Sequence, residues 1–442
     1  MSKERAVKKL LGEIEENRDT IIELGRKLFA TPETGFQEHK TAEILKEYFA
    51  DFGMSVKTKV ALTGLISEID FARPGPSIAI LADMDALPMP SHPDSDPQTG
   101  AVHACGHHAQ MAAMMGAALA FSRLRENDIQ GKIIFMAVPA EEYVQIERRL
   151  KLREVENIEF LSGKSEMIRQ GYFEDVDAVL ATHSSALQQG KIGVGGSLNG
   201  FLVKNYVFKG RPAHAGGAPH KGRNALDAAS LALDGINAQR STFQEDDYIR
   251  VHPIMPEGGD TVNIVPDKAR VEAYVRAKSL TAIEDTEIKV DRAAAGGALA
   301  MGCDLEIQTT PGYLPAIPCE ELNMVLEDVV KDLSDLSPVR KDHFTGSSDL
   351  GDLSQLLPAG LISMGGIAGS PHSQDFAVRD EYEAYIVPAR VLSAAACQLL
   401  RRKKEKDRLF ENFTPRRGRE SYVKWVRSKF TESSFSSSDL DL

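Results

Sequence analysis

Residues 132–142 read KIIFMAVPAEE, a continuous apolar run that ends in two adjacent carboxylates. A strand apolar on both faces belongs in the middle of a parallel sheet, with helices covering both sides. The stretches around it agree. GLISEID (64–70), SIAILAD (77–83) and DAVLATH (177–183) read as further strands. AQMAAMMGAALAFSRLR (109–125) is rich in Ala, Met and Leu and reads as a buried helix. Helices alternating with apolar strands predict an α/β fold, a mostly parallel sheet covered by helices. Sites in such sheets lie at the carboxyl ends of the strands, which is where Glu141 and Glu142 fall.

Farther out the texture changes. Residues 144–170 form a charged excursion of helical pattern. From 199, FLVKNYVFKG alternates like an antiparallel strand, and a Gly/Ala/Pro-rich turn leads to a helix at 223–238. Two strands (IRVHPIM, ARVEAYVRA), a helix at 281–301 and a strand at 304–309 complete an α+β unit. After 310 the chain returns to the first domain through GLISMGG and a last helix at 386–402. The expected division is 1–198 and 310–402 for one domain, 199–309 for a domain inserted into it, and 403–442 for a tail. From 401 onward, 12 Lys/Arg stand against 7 Asp/Glu, with an aromatic patch of Tyr422, Trp425 and Phe430 before SSFSSSDLDL. This predicts a short helix and a disordered end.

Composition excludes several classes. A chain of 442 residues exceeds what one core usually serves, so two domains are expected. The net charge of -12 argues against nucleic acid or an anionic membrane as the main partner. No apolar run is long enough to span a bilayer. The N-terminal MSKERAVKKLLGEIEENRDTIIEL carries charges where a signal peptide would be apolar. It reads as an amphipathic helix, and the expectation is a soluble, cytoplasmic protein. Cys105, Cys303, Cys319 and Cys397 are too few and scattered for a disulfide framework.

Three places carry chemistry. In HACGHHAQ (103–110), Cys105 and His107 are two apart, flanked by His103 and His108. In extended backbone such a pair faces one way and can grip one ion. Glu141 and Glu142 end the apolar strand. Adjacent strand residues point oppositely, so one carboxylate can bind metal while the other faces substrate as general base. His183 closes DAVLATH, and His372, in GGIAGSPHSQDF, also follows an apolar segment. Imidazole, thiolate and carboxylate together suit zinc or a neighbour such as manganese or cobalt. Asp83 and Asp85, in ILADMDALP, end a further strand, where one of them can orient a ligand histidine.

In these stretches the sequence resembles the aminoacylase/carboxypeptidase-G family of dinuclear metallopeptidases. It is nearest the branch of auxin-conjugate and aminobenzoyl-glutamate amidohydrolases. The resemblance is carried by ADMDALP, HACGH, PAEE, His183, RPAHAG, TVNIVPD, GSSDLGDLS and SPHS, in the family's order over about 20–400. It implies Cys105, His107, Glu142, His183 and His372 as ligands of two divalent metal ions, with Cys105 bridging. Zinc or manganese leads, with cobalt or nickel as alternatives. It implies Glu141 as general base and Asp85 as the carboxylate behind the ligands. Asp83 stands where other branches have a ligand histidine and is not counted. His214 matches the histidine that reaches the partner subunit's site and steadies the oxyanion. Asn263 and Arg276 lie in strands where the family recognises a substrate carboxylate. The inserted domain would be the dimerisation or lid domain of a homodimer.

The implied activity is hydrolysis of an amide in an N-acyl or aminobenzoyl amino acid. A dipeptidase or aminopeptidase is the alternative, and a silent metal-binding protein a third reading that the presence of Glu141 disfavours. The sequence departs from the branch at His108, where Asp is usual, and in the longer segment 144–165. The tail after 403 lies outside the resemblance.

Overall fold

A computed structural model describes residues 3–124, 129–155, 157–402 and 407–439. It divides into two compact units.

The first unit comprises residues 1–196, 317–342 and 352–419. Its eight-stranded sheet runs in the order 57–60, 64–70, 132–138, 77–83, 178–184, 359–364, 191–194 and 337–340. Four neighbours at the centre (Lys132–Val138, Ser77–Asp83, Ala178–Ser184 and Ala359–Met364) are parallel. Leu81 sits beside both Met136 and Ala181, and Asp83 beside Val138. Antiparallel pairings join the flanking strands on both sides, and the outermost pair, Lys191–Val194 with Ser337–Arg340, is parallel. The expected α/β sheet is therefore present, with mixed edges.

Helix His107–Ser122 has every residue but its last buried, because small Ala and flexible Met allow close approach of neighbours on all sides. It packs against Arg18–Phe29 and Val387–Leu400. Helix Lys3–Glu16 buries Ala6, Leu10 and Ile14, four residues apart along one face, as the amphipathic reading expects. The charged excursion resolves into two helices, Ile146–Glu154 and Gly163–Arg169. Part of the expected helix at 109–125 lies outside the described residues. The last long helix begins at Val387, after a π-helical turn at Tyr382–Ile386.

The second unit comprises residues 197–316, 343–351 and 420–442. Its antiparallel sheet runs Arg250–Glu257, Lys268–Ala277, Gly200–Lys209, Asp304–Pro311 and Thr431–Phe435. Helices Ala225–Gln239 and Leu280–Ala300 pack closely on each other, and Gly297 permits it. A Cβ there would fall 2.5 Å from the Ala228 carbonyl. Lys204 is buried among Glu287, Asp291 and Thr309, at 2.9, 3.0 and 2.6 Å.

The tail departs from expectation. It forms helices Arg408–Asn412 and Arg419–Ser428, and its SSF segment is ordered as strand Thr431–Phe435. That strand pairs with Asp304–Pro311, from Thr309↔Thr431 to Leu305↔Phe435. TESSF has little strand pattern of its own; an open sheet edge supplies the backbone partners, and Phe435 packs on the second unit's core.

Candidate metal centre

The carboxyl ends of the central strands carry the site. Ser77–Asp83 ends in Asp83, with Asp85 two residues on. Lys132–Val138 ends just before Glu141 and Glu142, and His183 is the penultimate residue of Ala178–Ser184. HACGH turns at Gly106, whose φ of 83° is left-handed, and His107 opens the buried helix. A Cβ on Gly106 would meet the Ser184 hydroxyl at 2.1 Å, so only glycine fits. Cys105 and His107 are thus brought together by a tight turn, not by the extended backbone expected from their spacing.

Three groups of donor atoms converge within 4.8 Å: Cys105, His107 and His183; Cys105, Glu142 and His372; His107, Glu141 and Glu142. Cys105 belongs to two of them. Its Sγ lies 3.4 Å from His183 Nε2. His372 Nε2 is 3.1 Å from Glu142 Oε1, and His107 Nε2 is 3.8 Å from Glu141 Oε2. Glu141 and Glu142 lie beyond the strand, in a turn entered through Ala140 at φ 54°. They do not splay to opposite faces as a strand pair would. The turn aims both at the same cluster.

The donor set fits a divalent ion. Among the described residues His107 Nε2 and Glu142 Oε1 are buried without a well-formed hydrogen bond, a costly state that a cation would relieve. His107 is oriented through Nδ1, 2.8 Å from the Asp85 carbonyl and 3.2 Å from its carboxylate. His183 Nδ1 is fixed by the Ser184 carbonyl at 2.9 Å, and the backbone N–H of His372 donates to the Ala104 carbonyl. His107 and His183 are thus held through a ring nitrogen, as candidate ligands need, and His372 through its main chain.

Charge in the cluster is mutually arranged. Burial pushes the Cys105 thiol up, and the Glu142 charge adds to that. Burial alone would lower His107, but Cys105 and the Asp85 carboxylate raise it well above the ordinary range. Burial opposes ionisation of Glu142 too, yet His372 and His107 hold its carboxyl low.

Asp83 is not among the converging groups. Its carboxylate is ion-paired with Lys164, a lysine with 1% of its side chain exposed. His108 does not replace the carboxylate usual in the branch. Its ring is buried against Phe29 and Tyr385, neither nitrogen has a partner among the described residues, and burial keeps it neutral. His103 beside it is also neutral, pushed down by burial to about 3.

His214, Asn263 and Arg276 stand in the second unit. His214 is exposed in a loop, its Nδ1 accepting N–H groups of Gly216 and Gly217 at 3.1 and 3.0 Å. The Asn263 carbonyl accepts the Ala215 N–H, so these two loops touch. Asn263 lies in a turn, not in a strand as expected, because the strand before it ends at Glu257. Arg276, within Lys268–Ala277, donates to Ser347 Oγ at 3.0 Å and stacks near Phe201 and Tyr274.

Sequence reading missed two residues here. Glu38 accepts the Ala140 N–H at 2.8 Å and the Thr63 hydroxyl at 2.6 Å. Burial and the Asp85 charge raise it to about 7. Lys164 sits in a segment whose composition reads as exposed. Neither has a local motif; only the tertiary fold brings them to the cluster.

A thiol, imidazole and carboxylate cluster at the carboxyl edge of a parallel sheet defines a metal-dependent hydrolase. The chain belongs to peptidase family M20/M25/M40, whose model matches residues 79–397. It is 29% identical over 335 residues to an N-acyl-L-amino acid amidohydrolase of Geobacillus stearothermophilus, covering 73% of this chain and 83% of that one. It is 31% identical over 317 residues to one chain of the p-aminobenzoyl-glutamate hydrolase of Escherichia coli, covering 68% and 60%. Its fold is similar to that of Bacillus subtilis YXEP, a dinuclear metal binding peptidase of the M20 family. There the TM-score is 0.68 at 24% identity, over 87% of this chain and 99% of that one. No helix among the described residues is long and apolar enough to cross a membrane.

Proposed function

We propose that this chain hydrolyses the amide bond of an N-acyl or aminobenzoyl amino acid with two divalent metal ions, zinc or manganese, as a cytoplasmic homodimer. The observation that carries this reading is the pair of ligand groups sharing Cys105, with Glu141 beside them. In this reading Cys105, His107 and His183 hold one ion, and Cys105, Glu142 and His372 the other. The ions, when bound, supply the Lewis acidity that polarises an amide carbonyl and makes water nucleophilic near neutral pH.

The chain's residues do the rest. Glu141 takes the proton of the attacking water as the C–O bond forms. It passes that proton to the leaving nitrogen as the C–N bond breaks. Asp85 fixes the turn that presents Glu141. His214, from the partner subunit, donates to the carbonyl oxygen as charge builds there. Asn263 and Arg276 engage the substrate's carboxylate, and the inserted unit serves as lid and dimer contact. The names of the amidohydrolase relatives support the substrate class.

The test is a panel of N-acyl amino acids, p-aminobenzoyl-glutamate and free dipeptides, offered to protein reconstituted with zinc or manganese. Acylated amino acids should be turned over fastest. Faster turnover of free dipeptides would make the chain a peptidase instead.

A further inference from the structure

The turn that carries both glutamates is gripped on its carbonyls as well as on its amides. Asp85 accepts the N–H groups of Glu141 and Glu142. From the other side comes Arg149, on helix Ile146–Glu154. Its Nη1 donates to the Ala140 carbonyl at 3.3 Å and to the Leu161 carbonyl at 2.6 Å. Its Nη2 donates to the Glu142 carbonyl. The guanidinium therefore spans Glu141, bonding the carbonyl before it and the carbonyl after it.

Arg149 is an expensive residue to place there. Only 1% of it is exposed. The three groups its fork bonds are all main-chain carbonyls, and Nε is buried without a partner among the described residues. A buried cation held by carbonyl dipoles is a poor source of stability compared with an apolar side chain of the same size. The surroundings are nevertheless built for it. The rings of Phe36 and Tyr143 lie 5.5 and 5.7 Å from the guanidinium carbon. At Gly35 a Cβ would fall 2.5 Å from Nη2. What the group supplies is geometry: a planar fork bonds two carbonyls at a fixed spacing, which a lysine ammonium does not do. The turn needs such a clamp, because Ala140 holds a left-handed φ of 54° that a residue with a Cβ adopts only under constraint.

We propose that Arg149 is a positioning residue for the hydrolytic centre. Its fork fixes turn 140–142 so that Glu142 reaches Cys105 and His372 while Glu141 faces the same cluster. The proposal rests on the function proposed above. It gives the charged excursion after the glutamates a task, since helix Ile146–Glu154 is the element that delivers Arg149.

The test compares Arg149→Met and Arg149→Lys with the wild type in two measurements. One is calorimetric titration of zinc into the metal-free protein. The other is steady-state kinetics on whichever acyl amino acid the wild type hydrolyses. In Arg149→Met the second zinc-binding step should weaken tenfold or more while the first is kept. Its kcat should fall tenfold or more with KM within threefold. A smaller fall in kcat, or a second step unchanged within tenfold, overturns the proposal. If Arg149→Met does not fold, Arg149→Lys is read by the same criteria. If neither folds, Arg149 is purely structural and the proposal fails. A wild type that hydrolyses no amide would overturn the proposed function instead, and the zinc titration would still decide for Arg149.

Discussion

Asp85 accepts the backbone N–H of Glu142 on Oδ2 at 2.9 Å, and its other oxygen accepts that of Glu141 at 3.1 Å. The same carboxylate lies 3.2 Å from His107 Nδ1. One side chain thus sets the direction of Glu141, Glu142 and His107, the proposed general base and two proposed metal ligands. Asp85→Asn leaves one acceptor oxygen and turns an NH2 toward a backbone N–H. Loss of a group behind metal ligands typically costs about 10–100-fold in metal affinity or activity. Asp85→Asn should show a loss of that order by metal analysis and kcat/KM, and a variant with both unchanged would remove Asp85 from the account.

Metal uptake should depend on pH in a defined direction. Cys105 and His107 are both shifted upward, so this buried pair holds on to its protons in the metal-free protein. Glu142 is shifted downward and is already ionised. An ion must displace protons from the thiol and the imidazole, so apparent affinity should rise with pH, by up to about tenfold per unit for each proton released. Calorimetric titration in buffers of different ionisation enthalpy counts those protons. Binding that releases none would contradict the assigned ligands.

The tail strand makes a separate prediction. Deleting residues 431–442 exposes the edge of Asp304–Pro311 and removes the hydrogen bonds along Thr431–Phe435. An open edge is a template for pairing with other chains. The truncated protein should melt several degrees lower and sediment partly as larger species. An unchanged melting temperature and sedimentation profile would mean that the strand adds nothing.

His214 tests whether the site needs a second chain. His214→Ala should lower kcat roughly a hundredfold, the usual cost of one oxyanion donor, with metal content kept. Mixing it with Glu141→Gln subunits should restore part of the activity, because one site in the mixed dimer has both groups intact. If subunit exchange is verified and no activity returns, each site is complete within one chain.

Much of this was legible in the sequence because apolar runs mark central strands and chemistry sits at their ends. KIIFMAV, SIAILAD and AVLATHS pair as neighbours, and Cys105, His107, Glu142, His183 and His372 converge. What the sequence did not carry was how the convergence is achieved. Spacing suggested extended backbone for Cys105 and His107, whereas Gly106 turns the chain left-handed. Adjacency suggested opposed faces for Glu141 and Glu142, whereas a turn through Ala140 brings them to one side. The holders of that turn come from remote segments: Glu38 lies 102 residues from Ala140, a separation no local pattern bridges. Arg149 was hidden by its company, since RRLKLR reads as a solvated face. TESSF gained its strand from the edge it covers.

In the proposed chemistry Glu141 moves the proton while its neighbours hold the metal. Glu141→Gln keeps the size of the side chain and removes its ability to accept a proton. With metal content measured on the same sample and the best acyl amino acid as substrate, kcat should be abolished while both ions remain near wild-type occupancy. A Glu141→Gln protein that kept more than about a tenth of wild-type kcat, where loss of a general base costs on the order of a hundredfold or more, would contradict the account.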